Sequence, residues 1–262
     1  MDFIDIDHGL KRRQNYRVFD QDKIPSKQAI TEIIDHAVRN TPVKNDCYDF
    51  RLEVYGPKYK KEKEELLDHT ICLKNGDGRQ LPKDLSLKTI QKNRKQYMEN
   101  IELYTKLRKE EPDTDEKKLQ VVMNRGCYTT EENDEVPEME YAFNTQVLAP
   151  WLIKFTYEPK VYRRSDVYIS DENSWKTHFI MATSMVGYSI AVIANQNNID
   201  ASFCQCVRFI KNKPTIPLFP DATKSTDLTK NFAFLLGLGH VVGDYGRKFR
   251  SKPYWGKITQ FK

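Results

Sequence analysis

The stretch WKTHFIMATSMVGYSIAVIAN, residues Trp175 to Asn195, decides how the rest of the chain is read. It is apolar nearly all round, as expected of a helix buried on several sides rather than of a surface helix with one hydrophobic stripe. A bilayer span is the rival reading. The uninterrupted apolar-leaning core is shorter than the ~20 residues that a span requires, and Thr183, Ser184 and Ser189 dilute it. The stretch therefore reads as a central or interface helix, and no membrane partner is expected.

Strand candidates lie on both sides of it. LAPWLIKFTYE, Leu148 to Glu158, reads as a core strand entered from a turn, and ASFCQCVRFI (Ala201–Ile210) and NFAFLLGLGH (Asn231–His240) follow as further strands. Nearer the start, IPSKQAITEIIDHAVRNTP holds a helix capped by Ser26, with Ala29, Ile30, Ile33, Ile34, Ala37 and Val38 on one face and Pro42 beyond its end. FRLEVYG then alternates Phe50, Leu52 and Val54 as a half-buried strand closed by Gly56. Strands separated by helices in no regular βαβ rhythm imply an α+β domain. Between about residues 58 and 142 the composition shifts to long charged helical patterns, KTIQKNRKQYMENIELYTKLRKEE among them, and then to the acidic EENDEVPEMEY. This region reads as an insertion or peripheral helical layer with a solvated, mixed-sign face.

The 262 residues fit one large domain or two small ones. Lys and Arg number 42 against 37 Asp and Glu, and this net charge of +5 is too weak to argue for nucleic acid. The opening MDFIDIDHG has neither the basic nor the apolar region of a signal peptide, so a cytoplasmic location is expected. The cysteines are Cys47, Cys72, Cys127, Cys204 and Cys206, an odd number without framework spacing, which fits reduced thiols. Cys204 and Cys206 lack the further ligands of a tetrahedral metal site and read as small buried apolar residues, and no metal is expected. His36 and His240 fit no catalytic triad, NGDGRQ is a turn without the lysine of a phosphate loop, and LLGLGH is no dinucleotide fingerprint.

One local feature remains. RRQNYRVF, Arg12 to Phe19, sets three guanidinium groups in six positions with no acid among them. These arginines either form a solvated arm or meet an anion brought by the fold.

In chain order these pieces resemble the FMN-dependent nitroreductase family. RQNYRVF is similar to its arginine-rich opening, IPSKQAITEIIDHAVRNTP to the first helix, and TPVKNDCYDF to a shortened form of the segment that follows it. NTQVLAPWLIKF resembles the middle strand, MVGYSIAVIANQNNIDASFCQC the long interface helix and its turn, LLGLGH the late strand, and RSKP the basic pair near the end. The chain departs from the family at Gln14, Asn15, Val43 and Asn45.

The resemblance implies a single domain over residues 1–262 with a nitroreductase-like fold: a central mixed sheet flanked by helices, plus the long helical insertion. It implies a homodimer with the flavin at the interface, and FMN passing two electrons from NAD(P)H to a nitro compound, quinone or similar planar acceptor. Arg13, Arg250 and Lys252 would surround the flavin phosphate, with Arg12 a surface spare, while Gln14 and Asn15 would bond the ribityl chain or phosphate. Arg17 would stabilise the reduced flavin at its pyrimidine edge, the catalytic role; the alternative is an ordinary ion pair with Asp20 or Asp22. Asn144 and Gln146 would contact the flavin ring, the backbone amide of Gln205 would face its N5, and Lys44 and Asn45 would reach the partner's flavin. Two other functions stay open: a nitroreductase-shaped binding module without redox work, and flavin chemistry such as dehalogenation or flavin breakdown.

Overall fold

The structure is a computed structural model that describes residues 15–43, 48–73, 85–115, 119, 141–162, 172–210, 212–222, 228, 231–243 and 246–247. Four strands form its central sheet: β2 (Tyr48–Tyr55), β5 (Trp151–Tyr162), β7 (Phe232–Gly239) and β6 (Asp200–Cys204), paired in that spatial order. The sheet expected to be mixed is antiparallel throughout these four strands. Residues 248–262 lie outside the described residues. Two short ladders complete the pairing, β1 (Asn15–Tyr16) with β8 (Gly246–Arg247) and β3 (Cys72–Leu73) with β4 (Tyr141–Ala142).

Both faces of the sheet are covered, which explains why β5 and β7 are apolar at consecutive positions. On one face Trp151, Ile153, Phe155, Phe234, Leu236 and Leu238 pack against helix α1 (Lys27–Asn40) and the long helix α4 (Glu172–Gln196). On the other, Leu152 and Leu235 pack with Leu66 and Leu67 of α2 (Lys60–Leu67) and with Ile90 and Tyr97 of α3 (Leu87–Glu110). The charged region thus supplies a large share of the second core, and its exposed cations form i,i+4 pairs such as Lys95–Glu99 and Lys106–Glu110.

Local signals largely hold. The Ser26 hydroxyl accepts from the Ala29 N–H at 3.1 Å, and α1 buries Ile30, Ile33 and Ala37 before ending at Asn40, two residues short of Pro42. Other readings needed correction. Val54 is exposed because β2 is an edge strand whose end the helices do not cover, and β6 stops at Cys204, well short of Ile210. Lys154 is buried in the middle of β5, where it pairs with Glu53, donates to the Leu218 carbonyl and lies 4.9 Å from the centre of the Phe219 ring. Burial of a lysine there is tolerable because charge, hydrogen bond and ring all face its ammonium.

Helix α4 is two-sided. Phe179, Ala182, Val186, Ile190, Ala191 and Ala194 are buried against the sheet, whereas Ile180, Met181, Met185 and Tyr188 are exposed. Its 21 residues Lys176–Gln196 meet the length and mean hydropathy of a membrane span, so the expectation that the apolar run is too short was wrong; the buried face gives the helix another role, packing on the sheet. Gly187 makes the close approach possible, since a methyl group there would stand 2.5 Å from the Phe234 ring.

The helix ends in a left-handed turn at Asn198, with φ of 58°. The Ile199 N–H bonds back to the Ala194 carbonyl at 2.9 Å and the Asn198 N–H to the Asn195 carbonyl at 3.1 Å, the paired closure of a Schellman motif that starts β6. Asn198→Ala should therefore lower stability by about 1 kcal/mol in urea unfolding, and Asn198→Gly should be neutral or slightly stabilising. Equal losses from both substitutions would show that the asparagine side chain, not its backbone geometry, is what matters.

Candidate functional site

Four segments distant in sequence meet at Arg17. Residues 15–20 run beside the chain that leaves β7: the Val242 N–H bonds to the Val18 carbonyl at 3.1 Å, Phe19 bridges Val241, and the Asp20 N–H bonds to the His240 carbonyl at 2.7 Å. On the other side the Ser202 hydroxyl of β6 donates to the Tyr16 carbonyl at 2.9 Å, and the Thr145 hydroxyl donates to the carbonyl of Arg17 itself. The backbone at Arg17 is therefore held from three directions.

Its side chain is held as closely. Arg17 Nη1 donates to Asn144 Oδ1 at 2.7 Å and to Gln146 Oε1 at 2.8 Å. Both amides are buried, and each is oriented by a carbonyl that can only accept: Asn144 Nδ2 donates to the Thr70 carbonyl at 2.9 Å, and Gln146 Nε2 to the Phe203 carbonyl at 3.3 Å. Their oxygens are thereby turned toward the guanidinium. The Asn144 N–H also donates to the Thr70 hydroxyl at 3.0 Å, which fixes the start of the 3-10 turn Thr145–Leu148.

Arg17 does not take the acids nearest to it in sequence. Lys109 of α3 binds both, at 2.8 Å to Asp20 Oδ1 and 2.7 Å to Asp22 Oδ2. Burial raises the Asp20 carboxyl, but the Lys109 hydrogen bond and charge outweigh it and bring it below the usual carboxylate range. Among the described residues no carboxylate pairs with Arg17, and this half-buried cation sits on neutral amide oxygens. An arrangement of this kind is suited to an anionic or electron-rich ligand edge, for which guanidinium donors remain.

The turn is supported from behind by Lys63 of α2, buried, whose ammonium donates to the Ala149 and Pro150 carbonyls at 2.7 and 2.8 Å. Burial brings this lysine down to about 8. From the sheet side the bare backbone of Gly237 lies under the turn.

The structure thus brings together Arg17, Asn144 and Gln146 of the sequence-derived set. Gln205 follows β6, two residues beyond the Phe203 carbonyl that holds Gln146. Asn15 lies in β1, paired with Arg247 of β8. Arg13, Gln14, Lys44, Asn45, Arg250 and Lys252 lie outside the described residues. Thr70, Thr145, Ser202 and Lys109 were missed; Thr145 alone had a signal, its place between Asn144 and Gln146.

No protein-family model matches the sequence, and no curated protein does. Solved structures do. A nitroreductase-like family protein from Bacillus cereus superposes with a TM-score of 0.50 at 11% identity, over 98% of this chain and 95% of that one. A nitroreductase with bound FMN from Desulfitobacterium hafniense gives 0.48 at 14% identity over 98% of each chain. The FMN-dependent nitroreductase NfnB from Mycobacterium smegmatis, in complex with NADPH, gives 0.47 at 9% identity over 99% of this chain and 98% of that one. The likeness to the first establishes a nitroreductase-like fold.

Gly237 is the sharpest test of the site's construction. A methyl group on it would stand 2.6 Å from the Gln146 carbonyl oxygen, so Gly237→Ala must displace the turn. Thermal or urea unfolding should show a loss of about 1–3 kcal/mol, the usual cost of overpacking. An unperturbed melt would mean that the turn is not pressed against the sheet.

Proposed function

We propose that the chain is an FMN-dependent oxidoreductase that takes two electrons from NAD(P)H and passes them to a nitro compound, quinone or similar planar acceptor. The observation that carries this reading is the Arg17 guanidinium, fixed by Asn144 and Gln146 and left without a carboxylate among the described residues. The nitroreductase-like fold and the ordered sequence resemblance support the same reading. FMN, when bound, supplies the two-electron relay between donor and acceptor.

What the chain contributes is binding and charge. Arg17 faces the pyrimidine edge, where negative charge gathers on reduction, and a fixed cation there favours the reduced state. Asn144 and Gln146 act through Arg17 as well as toward the ring, because their oxygens already hold it. The phosphate falls to Arg13, Arg250 and Lys252, the ribityl chain to Gln14 and Asn15, and the backbone of Gln205 flanks the ring. The pairing of β1 with β8 supports a phosphate site drawn from both ends of the sequence: Arg13 precedes Asn15 by two residues and Arg250 follows Arg247 by three. The reaction needs no dedicated acid or base, in keeping with the lack of a recognisable triad.

The site is further proposed to be completed by a homodimer, with Lys44 and Asn45 reaching the partner's flavin. The exposed side of α4 supports this, since Ile180 and Met181 are 50% and 45% exposed and Met185 and Tyr188 continue the apolar strip. An exposed apolar strip along one side of a helix suits an interface.

The purified chain should be yellow or take up added FMN, and NAD(P)H should bleach it anaerobically. Arg17→Gln should keep the phosphate contacts and lower the flavin reduction potential in a dye-coupled titration. A colourless protein that ignores added FMN would favour a binding module without redox work, and an unchanged potential would remove Arg17 from the pyrimidine edge. In sedimentation, the paired changes Met181→Asp and Met185→Asp should turn a dimer into a monomer; a wild-type monomer would end the interface proposal.

A further inference from the structure

Cys204 and Cys206 have more in common than burial. Cys204 closes β6 opposite Leu235 and is 3% exposed, whereas Cys206, just past the strand, is only partly buried. Each thiol shifts the acidity of the other, which sets the two sulfurs side by side. Residues i and i+2 of extended chain point the same way, which is what brings them together.

Their contact is held at both ends. Upstream, the β6–β7 ladder fixes Cys204. Downstream, the Arg208 N–H bonds to the His69 carbonyl at 2.7 Å, and His69 Nδ1 returns a bond to the Arg208 carbonyl at 3.0 Å. The Arg208 carbonyl can only accept, so the His69 Nδ1–H is the donor, and burial holds the ring below its ordinary range. Between these anchors lie Gln205, Cys206 and Val207, outside any regular strand pairing.

The electrostatics separate the two thiols. Cys206 is lowered to about 6, chiefly by the hydrogen bond from Cys204, against the opposing effect of burial, and then by the Arg17 and Arg208 charges and the Gln205 N–H. Cys204 is pushed up by its hydrogen bond to Cys206 and by burial. A low, only partly buried thiolate beside a buried protonated thiol is the division of labour between an attacking and a resolving cysteine.

We propose that Cys204 and Cys206 form a reversible dithiol–disulfide pair, in which the Cys206 thiolate, held beside Arg17, attacks a small disulfide and Cys204 resolves the product. In the first step the Cys206 sulfur forms a bond to one sulfur of the disulfide RSSR, whose S–S bond breaks to release RS⁻. In the second, Cys204 loses its proton and its sulfur attacks Cys206, which forms the internal disulfide and releases the second RS⁻. Two electrons pass from the cysteine pair to the small disulfide, and one proton goes to solvent. The exchange requires no flavin, so it stands or falls separately from the FMN reading. Closing so small a ring strains the bond, and strained disulfides are the readily reducible, working kind.

The test uses the full chain with oxidised glutathione as the probe, followed by acid quenching, alkylation and trypsin. The peptide Thr177–Arg208 contains both thiols and no other cysteine. It should emerge unalkylated and two hydrogens lighter than the dithiol, and should revert with excess dithiothreitol. Cys204→Ser should stop at a stable glutathione adduct on Cys206, whereas Cys206→Ser should leave Cys204 at least ~10-fold slower to react, as expected of a buried protonated thiol. Arg17→Gln should slow adduct formation about tenfold as Cys206 returns toward an ordinary thiol. If both cysteines remain fully alkylated after equilibration with oxidised glutathione, the proposal is wrong. It is equally wrong if Cys206→Ser collects the adduct on Cys204 at the wild-type rate. The two serine variants are close to isosteric, so they decide the matter even if Arg17→Gln fails to fold.

Discussion

A positive charge fixed by neutral partners organises this molecule. Arg17 takes two amide oxygens where an ordinary surface arginine would take a carboxylate, and everything nearby serves that substitution. Thr70 and the Phe203 carbonyl orient the amides, Thr145 and Ser202 hold the backbone, and Lys109 removes the two competing acids. Had Asp20 reached Arg17, the pair would have cancelled in place. Because Lys109 reaches it first, the field of the guanidinium remains directed at whatever enters the site.

The sheet explains why such an arrangement is stable. Residues of β5 and β7 alternate between two cores, so the strands beneath the site are clamped from above and below. A turn laid on a rigid double-sided sheet can hold amides to within hydrogen-bond tolerance, whereas a turn on an open loop could not. Gly237 sets the contact distance, since its missing side chain is the space the turn occupies.

Much of this was legible in the sequence and some was not, for physical reasons. The helix stripe of Ile30, Ile33 and Ala37 and the cap at Ser26 are local signals, and local structure obeys them. Arg17, Asn144 and Gln146 could each be singled out by position. Their mutual contact could not, because it joins residues 127 and 129 apart in sequence, and no periodicity reports a long-range hydrogen bond. Lys109 was hidden for another reason: in a helix crowded with cations nothing distinguishes the one that reaches Asp20 and Asp22. Lys154 in mid-strand, and Leu218 with its φ of 66°, are tertiary choices outright. The cysteines were read as filler because burial of Cys204 was foreseeable, whereas the half-exposed position of Cys206 depends on where β6 ends.

Lys63 carries a wider consequence. It belongs to the charged helical region, whose composition makes it look the most dispensable part of the chain, yet its ammonium grips the two carbonyls at the far end of the turn that aims Arg17. That region therefore works as a keel. Trimming it to recover a minimal version of the fold would strip one face of the sheet and let the guanidinium swing off its bearing.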